Sequence, residues 1–117
     1  MTLTKWILLL ALLMPGLVLA KRPQATKVEP VIYEGVRYTA PNDSGRRGYI
    51  QAWETKTGKI LWELTVYRNL INPLLEEDVQ WVFIKKLRID DRKLIVIDER
   101  KRVYNVDLKT RAIRKTN

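Results

Sequence analysis

Residues 49–67, YIQAWETKTGKILWELTVY, constrain the fold more than any other stretch of the chain. Tyr49, Gln51 and Trp53 fall on one face of an extended segment, and Ile50, Ala52 and Glu54 on the other. In a second segment Ile60, Trp62, Leu64 and Val66 share a face opposite Leu61, Glu63, Thr65 and Tyr67. Such alternation follows from the two-residue period of a β-strand. Between the segments, Lys56, Thr57 and Gly58 read as a three-residue hairpin loop. Its last position takes a left-handed residue, and Gly58 reaches positive φ without a Cβ clash. The spacing predicts strands over 47–54 and 59–67, with Trp62 buried on the apolar face.

The first twenty residues stand apart. Lys5 precedes an unbroken apolar run from Trp6 to Met14, and Pro15 and Gly16 break it. Val18 and Ala20 then occupy the −3 and −1 positions of a cleavage site. This is the anatomy of a secretory signal peptide. The 15 residues from Trp6 to Ala20 fall short of the roughly twenty that a spanning helix needs. Cleavage between Ala20 and Lys21 is expected, which places the mature chain in the periplasm or outside the cell. The chain has no cysteine, so neither a lipid anchor nor a disulfide is available to it.

Residues 21–30, polar and holding Pro23 and Pro30, read as a flexible mature N-terminus. A single β domain is expected over 31–117. Strands are predicted at 31–33 and 36–40 around Glu34 and Gly35, ahead of the hairpin already described. Asn42 and Asp43 lie among turn formers, and two side-chain ligands fall short of the six to eight oxygens that calcium takes. Asn72 can cap and Pro73 suits a first helical position, so 74–78 is expected to form one helical turn. Glu76, Glu77 and Asp78 sit at its disfavoured end, which argues against a longer helix. That acidic run reads as a solvated loop, with a cation or partner site as the alternative. A long strand is expected at 79–89, with Trp81 buried, followed by strands at 93–98, 102–108 and 111–115.

Shifted by 53 residues, 50–60 overlies 103–113, and both segments carry Lys-Thr before a closing Ile. The repeat units run over about 31–67 and 79–115, four predicted strands each, which is how propeller blades read. The segment Ala52-Trp53-Glu54-Thr55-Lys56-Thr57-Gly58-Lys59-Ile60-Leu61-Trp62 resembles the repeat of pyrroloquinoline-quinone-type β-propellers. That repeat runs Ala, apolar, Asp, two variable residues, Thr-Gly-Lys, two variable residues, Trp. The second copy has Arg111 in place of the Gly and Lys115 in place of the Trp. The resemblance implies that Trp62 packs between neighbouring blades and that the Thr57-Gly58 turn is structural. It covers the scaffold only, so no quinone or other cofactor is expected. Two units do not close a propeller, which needs about four blades. The expected fold is all-β, two four-stranded antiparallel meanders packed as a small sandwich or partial propeller after an N-terminal signal helix.

Charge sets the functional expectation. Residues 85–117 hold 12 basic and 5 acidic side chains, net +7, whereas residues 21–84 are net +1. With neither His nor Cys, the chain lacks Ser-His and Cys-His nucleophile pairs and the usual zinc ligands. A carboxylate-based hydrolase is the remaining enzymatic alternative. The expectation is a non-enzymatic binding or scaffold module engaging an anionic envelope polymer, lipid surface or acidic protein. Lys86, Arg88 and Arg114 share a strand face, and Arg100, Lys101 and Arg102 form a hairpin tip. Arg92, Lys93, Lys109 and Arg111 belong to the opposite end of the second meander. The alternative is a self-associating module that pairs sheet edges. Export disfavours nucleic acid.

Overall fold

The computed structural model describes residue 25 and residues 27–117. The expected signal segment, residues 1–20, and the cleavage point between Ala20 and Lys21 lie outside the described residues. Eight strands follow in order: β1 (Val31–Tyr33), β2 (Val36–Thr39), β3 (Arg47–Glu54), β4 (Ile60–Arg68), β5 (Ile84–Asp90), β6 (Lys93–Asp98), β7 (Val103–Asp107) and β8 (Ile113–Lys115). They form two four-stranded antiparallel sheets, β1-β2-β3-β4 and β5-β6-β7-β8. The fold is all-β, two meanders as expected. Among the described residues the helical content is a single 3-10 turn, Asp78–Gln80.

The turns repeat between the sheets. The first hairpin of each closes on two residues with positive φ, Glu34 (50°) and Gly35 (75°) in one, Asp91 (47°) and Arg92 (59°) in the other. Two left-handed residues give the twist that suits flanking strands. The third hairpin of each closes on four residues, against an expected three in the first and two, Lys109 and Thr110, in the second. The Glu54 N–H donates to the Lys59 carbonyl at 2.8 Å, and the Gly58 N–H to the Glu54 carbonyl at 2.8 Å. At the 53-residue offset, Asp107 and Arg111 donate in the same way, at 2.9 and 2.7 Å. Gly58 has φ 72° and Arg111 has φ 65°, so the substituted position keeps the backbone of the glycine it replaces.

One apolar core joins the sheets. Tyr38, Ile50, Ala52 and Val66 of the first meet Leu87, Leu94, Val96 and Val106 of the second. Register puts Ala52 between Tyr38 and Trp62, and Val96 between Leu87 and Tyr104. Tyr67 and Tyr104 stack with ring centroids 5.2 Å apart, which adds a directional contact to the burial of both rings. Val28 is also in this core at 7 % exposure, so the packed unit begins ahead of Val31.

Three sequence expectations are corrected. The strand predicted at 79–89 starts only at Ile84. Apart from the Glu99 N–H, which donates to the Phe83 carbonyl at 3.0 Å, side chains from elsewhere hold the backbone at 82–84. Asn42 bonds both the N–H and the carbonyl of Ile84, at 3.0 and 2.7 Å. Glu99 accepts from the Phe83 N–H at 2.8 Å, and the Tyr67 hydroxyl donates to the Val82 carbonyl at 2.7 Å. The turn predicted at 74–78 is displaced to Asp78–Gln80, because Asn72 caps only Leu74 and Gln80 clamps the loop instead. Trp62 and Trp81 are half-buried rather than buried. Trp62 lies at the sheet margin, 5.9 Å from the Tyr38 ring. Trp81 lies outside any strand, edge-on to Phe83 at 6.2 Å, with its Nε1 donating to Glu77 at 2.9 Å.

Candidate anion-binding surface

The six basic residues expected to bind an anion fall into three places. Arg88, Ile95, Asn105 and Arg114 form one row across β5, β6, β7 and β8, and Lys86, Ile97 and Val103 form the next. Lys86, Arg88 and Arg114 therefore share the face of the second sheet that points away from the core, and all three are exposed. Arg88 spends part of its charge on Asp90, at 3.3 Å in solvent, where such a pair contributes little.

Lys101 joins Lys86 at a different feature. A hollow of about 480 Å³ is lined by Lys27, Lys85, Lys86 and Lys101, with Leu87 and Ile97 as apolar surface and Glu29 and Asp98 as the acids. None of the four lysines makes an ion pair among the described residues. Two of them escaped the sequence reading. Lys85 is extruded where the β5–β6 register shifts between Ile84 and Lys86, and its one signal was that it interrupts an apolar face. Lys27 comes from the segment expected to be flexible, and nothing local to it shows that Val28 joins the core.

Arg100 and Arg102 line a third place with Arg68, a polar hollow of about 320 Å³. Arg102 is partly structural, a correction to its expected role as a free hairpin-tip charge. Its Nε donates to the fully buried Asp98 Oδ2 at 2.6 Å, and its guanidinium lies 5.5 Å over the Tyr67 ring. Burial lowers the Arg102 pKa, but the Asp98 hydrogen bond and charge outweigh it and hold the guanidinium above its ordinary value. The other Asp98 oxygen accepts the Arg100 and Arg102 backbone N–H groups at 2.9 and 3.0 Å. Arg92 and Lys109 line a separate hollow with Tyr33 and Glu34, at the end of the meander where the topology put them.

The motif residues act on the scaffold. The Thr57 hydroxyl donates to Glu54 at 2.7 Å and accepts from the Lys59 N–H at 3.2 Å, which stiffens the loop that Gly58 closes. Ala52 is fully buried, and Trp53 Nε1 donates to Thr39 at 3.1 Å on the outer face. Trp62 reaches the second sheet, since the Arg111 guanidinium lies 4.8 Å over its ring. Asn42 and Asp43 are committed to protein partners, Asn42 to Ile84 and Asp43 to the Tyr49 hydroxyl at 2.6 Å. Glu77 bonds Arg46 through both oxygens and also accepts Trp81 Nε1. Those bonds, Arg46 first, hold its carboxyl below the usual range. No family model matches the chain, and no curated protein matches it in sequence.

Proposed function

We propose that the chain is a small exported, non-enzymatic β-repeat module of the cell envelope that binds an anionic partner. Its repeat would be a short relative of the pyrroloquinoline-quinone-type blade, used as scaffold without the cofactor. The observation that carries this reading is the convergence of Lys27, Lys85, Lys86 and Lys101 on one hollow, which Leu87, Ile97, Glu29 and Asp98 also line. Four ammonium groups without an ion pair among the described residues raise the local concentration of anions, and the screening length limits their reach to roughly 8 Å in physiological salt. Lysine presents a hydrated point charge on a flexible stem, so the site favours carboxylates and phosphates broadly rather than one planar fork. Arg88 and Arg114, on the neighbouring row of the same sheet, extend the field.

A charge-matched comparison tests it. Lys86→Gln/Lys101→Gln and Lys56→Gln/Lys59→Gln each remove two charges, the first from the hollow and the second from the β3–β4 loop. Titrated with a carboxylated polymer in low salt, the first pair is expected to lose most of the affinity and the second little. Equal losses would show that net charge alone drives association. A self-associating module is the second reading. It is favoured by the exposed apolar side chains Ile32, Ile60 and Leu61 on or beside the outer face of the first sheet. Light scattering on the chain from Lys21 separates the two, because only the second reading predicts a mass that rises with concentration.

A further inference from the structure

We propose that the arginine-lined hollow and the leucine-bearing loop beside it form a docking site for an anionic lipid surface. The inference uses none of the lysines of the first hollow. Arg68, at the end of β4, and Arg100, in the β6–β7 turn, make no ion pair among the described residues. Arg102 is held by Asp98 through Nε and by the Tyr67 ring, which leaves its two Nη groups without a protein hydrogen bond among the described residues. Three guanidiniums, one of them locked in place, thus border a polar recess of about 320 Å³. A guanidinium fork matches the paired oxygens of a phosphate, which makes arginine the preferred side chain for gripping one.

The adjoining loop supplies the second element. Leu70, Leu74, Leu75 and Val79 are 96, 90, 61 and 53 % exposed. The loop is built rather than slack. The Gln80 amide accepts from the Asn72 N–H at 2.7 Å and donates to the Asn72 and Glu76 carbonyls at 3.0 and 2.9 Å. The Asn72 side chain accepts from the Leu74 N–H at 3.0 Å. Arg46 and Trp81 tie down Glu77, which removes one acid from the loop's effective charge. Glu76 and Asp78 are the loop's other two acids and offset two of the three arginine charges. Leu70 and Gln80 line the arginine hollow as well, so loop and hollow are one continuous surface. Because the leucines are already presented, docking costs little ordering entropy.

One occupant satisfies both halves. A soluble polyanion would meet the arginines and leave the leucines in water. A phospholipid surface offers phosphate in its headgroup layer and hydrocarbon just beneath it, the two-part attraction that holds peripheral proteins.

Flotation with vesicles tests the inference. The chain from Lys21 serves, since it contains all eight strands and the core found among the described residues. It is expected to float with vesicles of phosphatidylcholine plus phosphatidylglycerol and to stay behind with phosphatidylcholine alone. Leu74→Ser/Leu75→Ser should lower partitioning about tenfold or more, from the apolar surface no longer buried. Arg68→Gln/Arg100→Gln should also release the protein, while Lys86→Gln/Lys101→Gln should release much less. Circular dichroism confirms that each variant is folded. A parent that does not float, a leucine variant that floats like the parent, or an arginine variant that does so would each overturn the inference. Inorganic phosphate that strips the parent and the leucine variant alike would mark a soluble-phosphate site and overturn it too. The lysine-hollow reading is judged on the polymer titration, so either proposal can fail alone.

Discussion

Asp98→Ala removes the group on which the basic tip is built. The carboxylate is fully buried, with Oδ1 accepting two backbone N–H groups of the β6–β7 turn. Oδ2 accepts Arg102 Nε at 2.6 Å and the Tyr104 hydroxyl at 3.4 Å. Truncation strands the turn N–H groups, at about 1–3 kcal/mol for each one that water cannot reach. It also leaves Arg102 without its anion. Losing one partner of a buried pair costs about 3–5 kcal/mol. Arg102 retains 29 % exposure and can rehydrate, so the lower end of that range applies. With about 3 kcal/mol for the ion pair and about 1 kcal/mol for each N–H, of up to two, that water does not reach, the total of about 3–5 kcal/mol is a large share of the roughly 5–15 kcal/mol that holds a small domain together. At about 4–8 °C per kcal/mol for a domain of this size, the melting temperature should fall by more than about 12 °C. Asp98→Asn separates the two contributions. It keeps an acceptor for the turn N–H groups but turns an amide N–H₂ toward Arg102 if Oδ1 is preserved. Partial rescue assigns the larger share to the turn, and no rescue assigns it to the ion pair. An Asp98→Ala protein within about 1 kcal/mol of the parent in urea unfolding would refute this account of the tip.

The paired loops predict changes of opposite sign. Gly58→Val forces a β-branched residue to positive φ and should cost more than about 1–2 kcal/mol, whereas Arg111→Gly relieves a similar strain. The latter also loses the contact with Trp62, about 0.5–1 kcal/mol, so a net gain below about 1.5 kcal/mol is expected in thermal melts. Alkaline pH should destabilise the fold. Burial, and then the Asp43 bond, push the Tyr49 hydroxyl from 10.0 up to about 12, and burial pushes Tyr67 up as well. The folded phenol keeps a proton that the unfolded chain releases, so this stability is intact below pH 10 and is lost as pH rises toward about 12. Tyr49→Phe should flatten the decline of melting temperature above pH 10, and an unchanged slope would reassign it to other groups.

The strands that alternate were legible because each carries its own period. β1 and β3 begin and end where the pattern places them, and β6 does so on the continuous apolar run 94–97. The failure at 79–83 has a physical cause. Val79 and Trp81 alternate as strand residues do, yet side chains hold the backbone beyond them, Tyr67 and Asn69 at the Val82 carbonyl and Glu99 at the Phe83 N–H. Trp81 in addition packs over Gly45, where its ring leaves no room for a Cβ, a fit no periodicity encodes. At the basic surface, Lys86 and Arg88 were legible as one face, and Lys27 was not, because a hollow assembled from distant segments leaves no local spacing. Arg102 looked like Arg100 and Lys101 because Asp98 ends an apolar strand, and sequence alone does not say that its carboxylate turns inward.

The lysine hollow is the central claim, and amide chemical shifts test it most directly. A ¹⁵N-labelled chain from Lys21 would be titrated with polyglutamate in low salt and then in high salt. The account predicts shift changes centred on Lys27, Lys85, Lys86, Leu87, Ile97 and Lys101, fading as the screening length shrinks to roughly 3 Å at about 1 M salt. Changes spread evenly over all basic residues, Lys56, Lys59 and Lys115 included, or no changes at all, would contradict it.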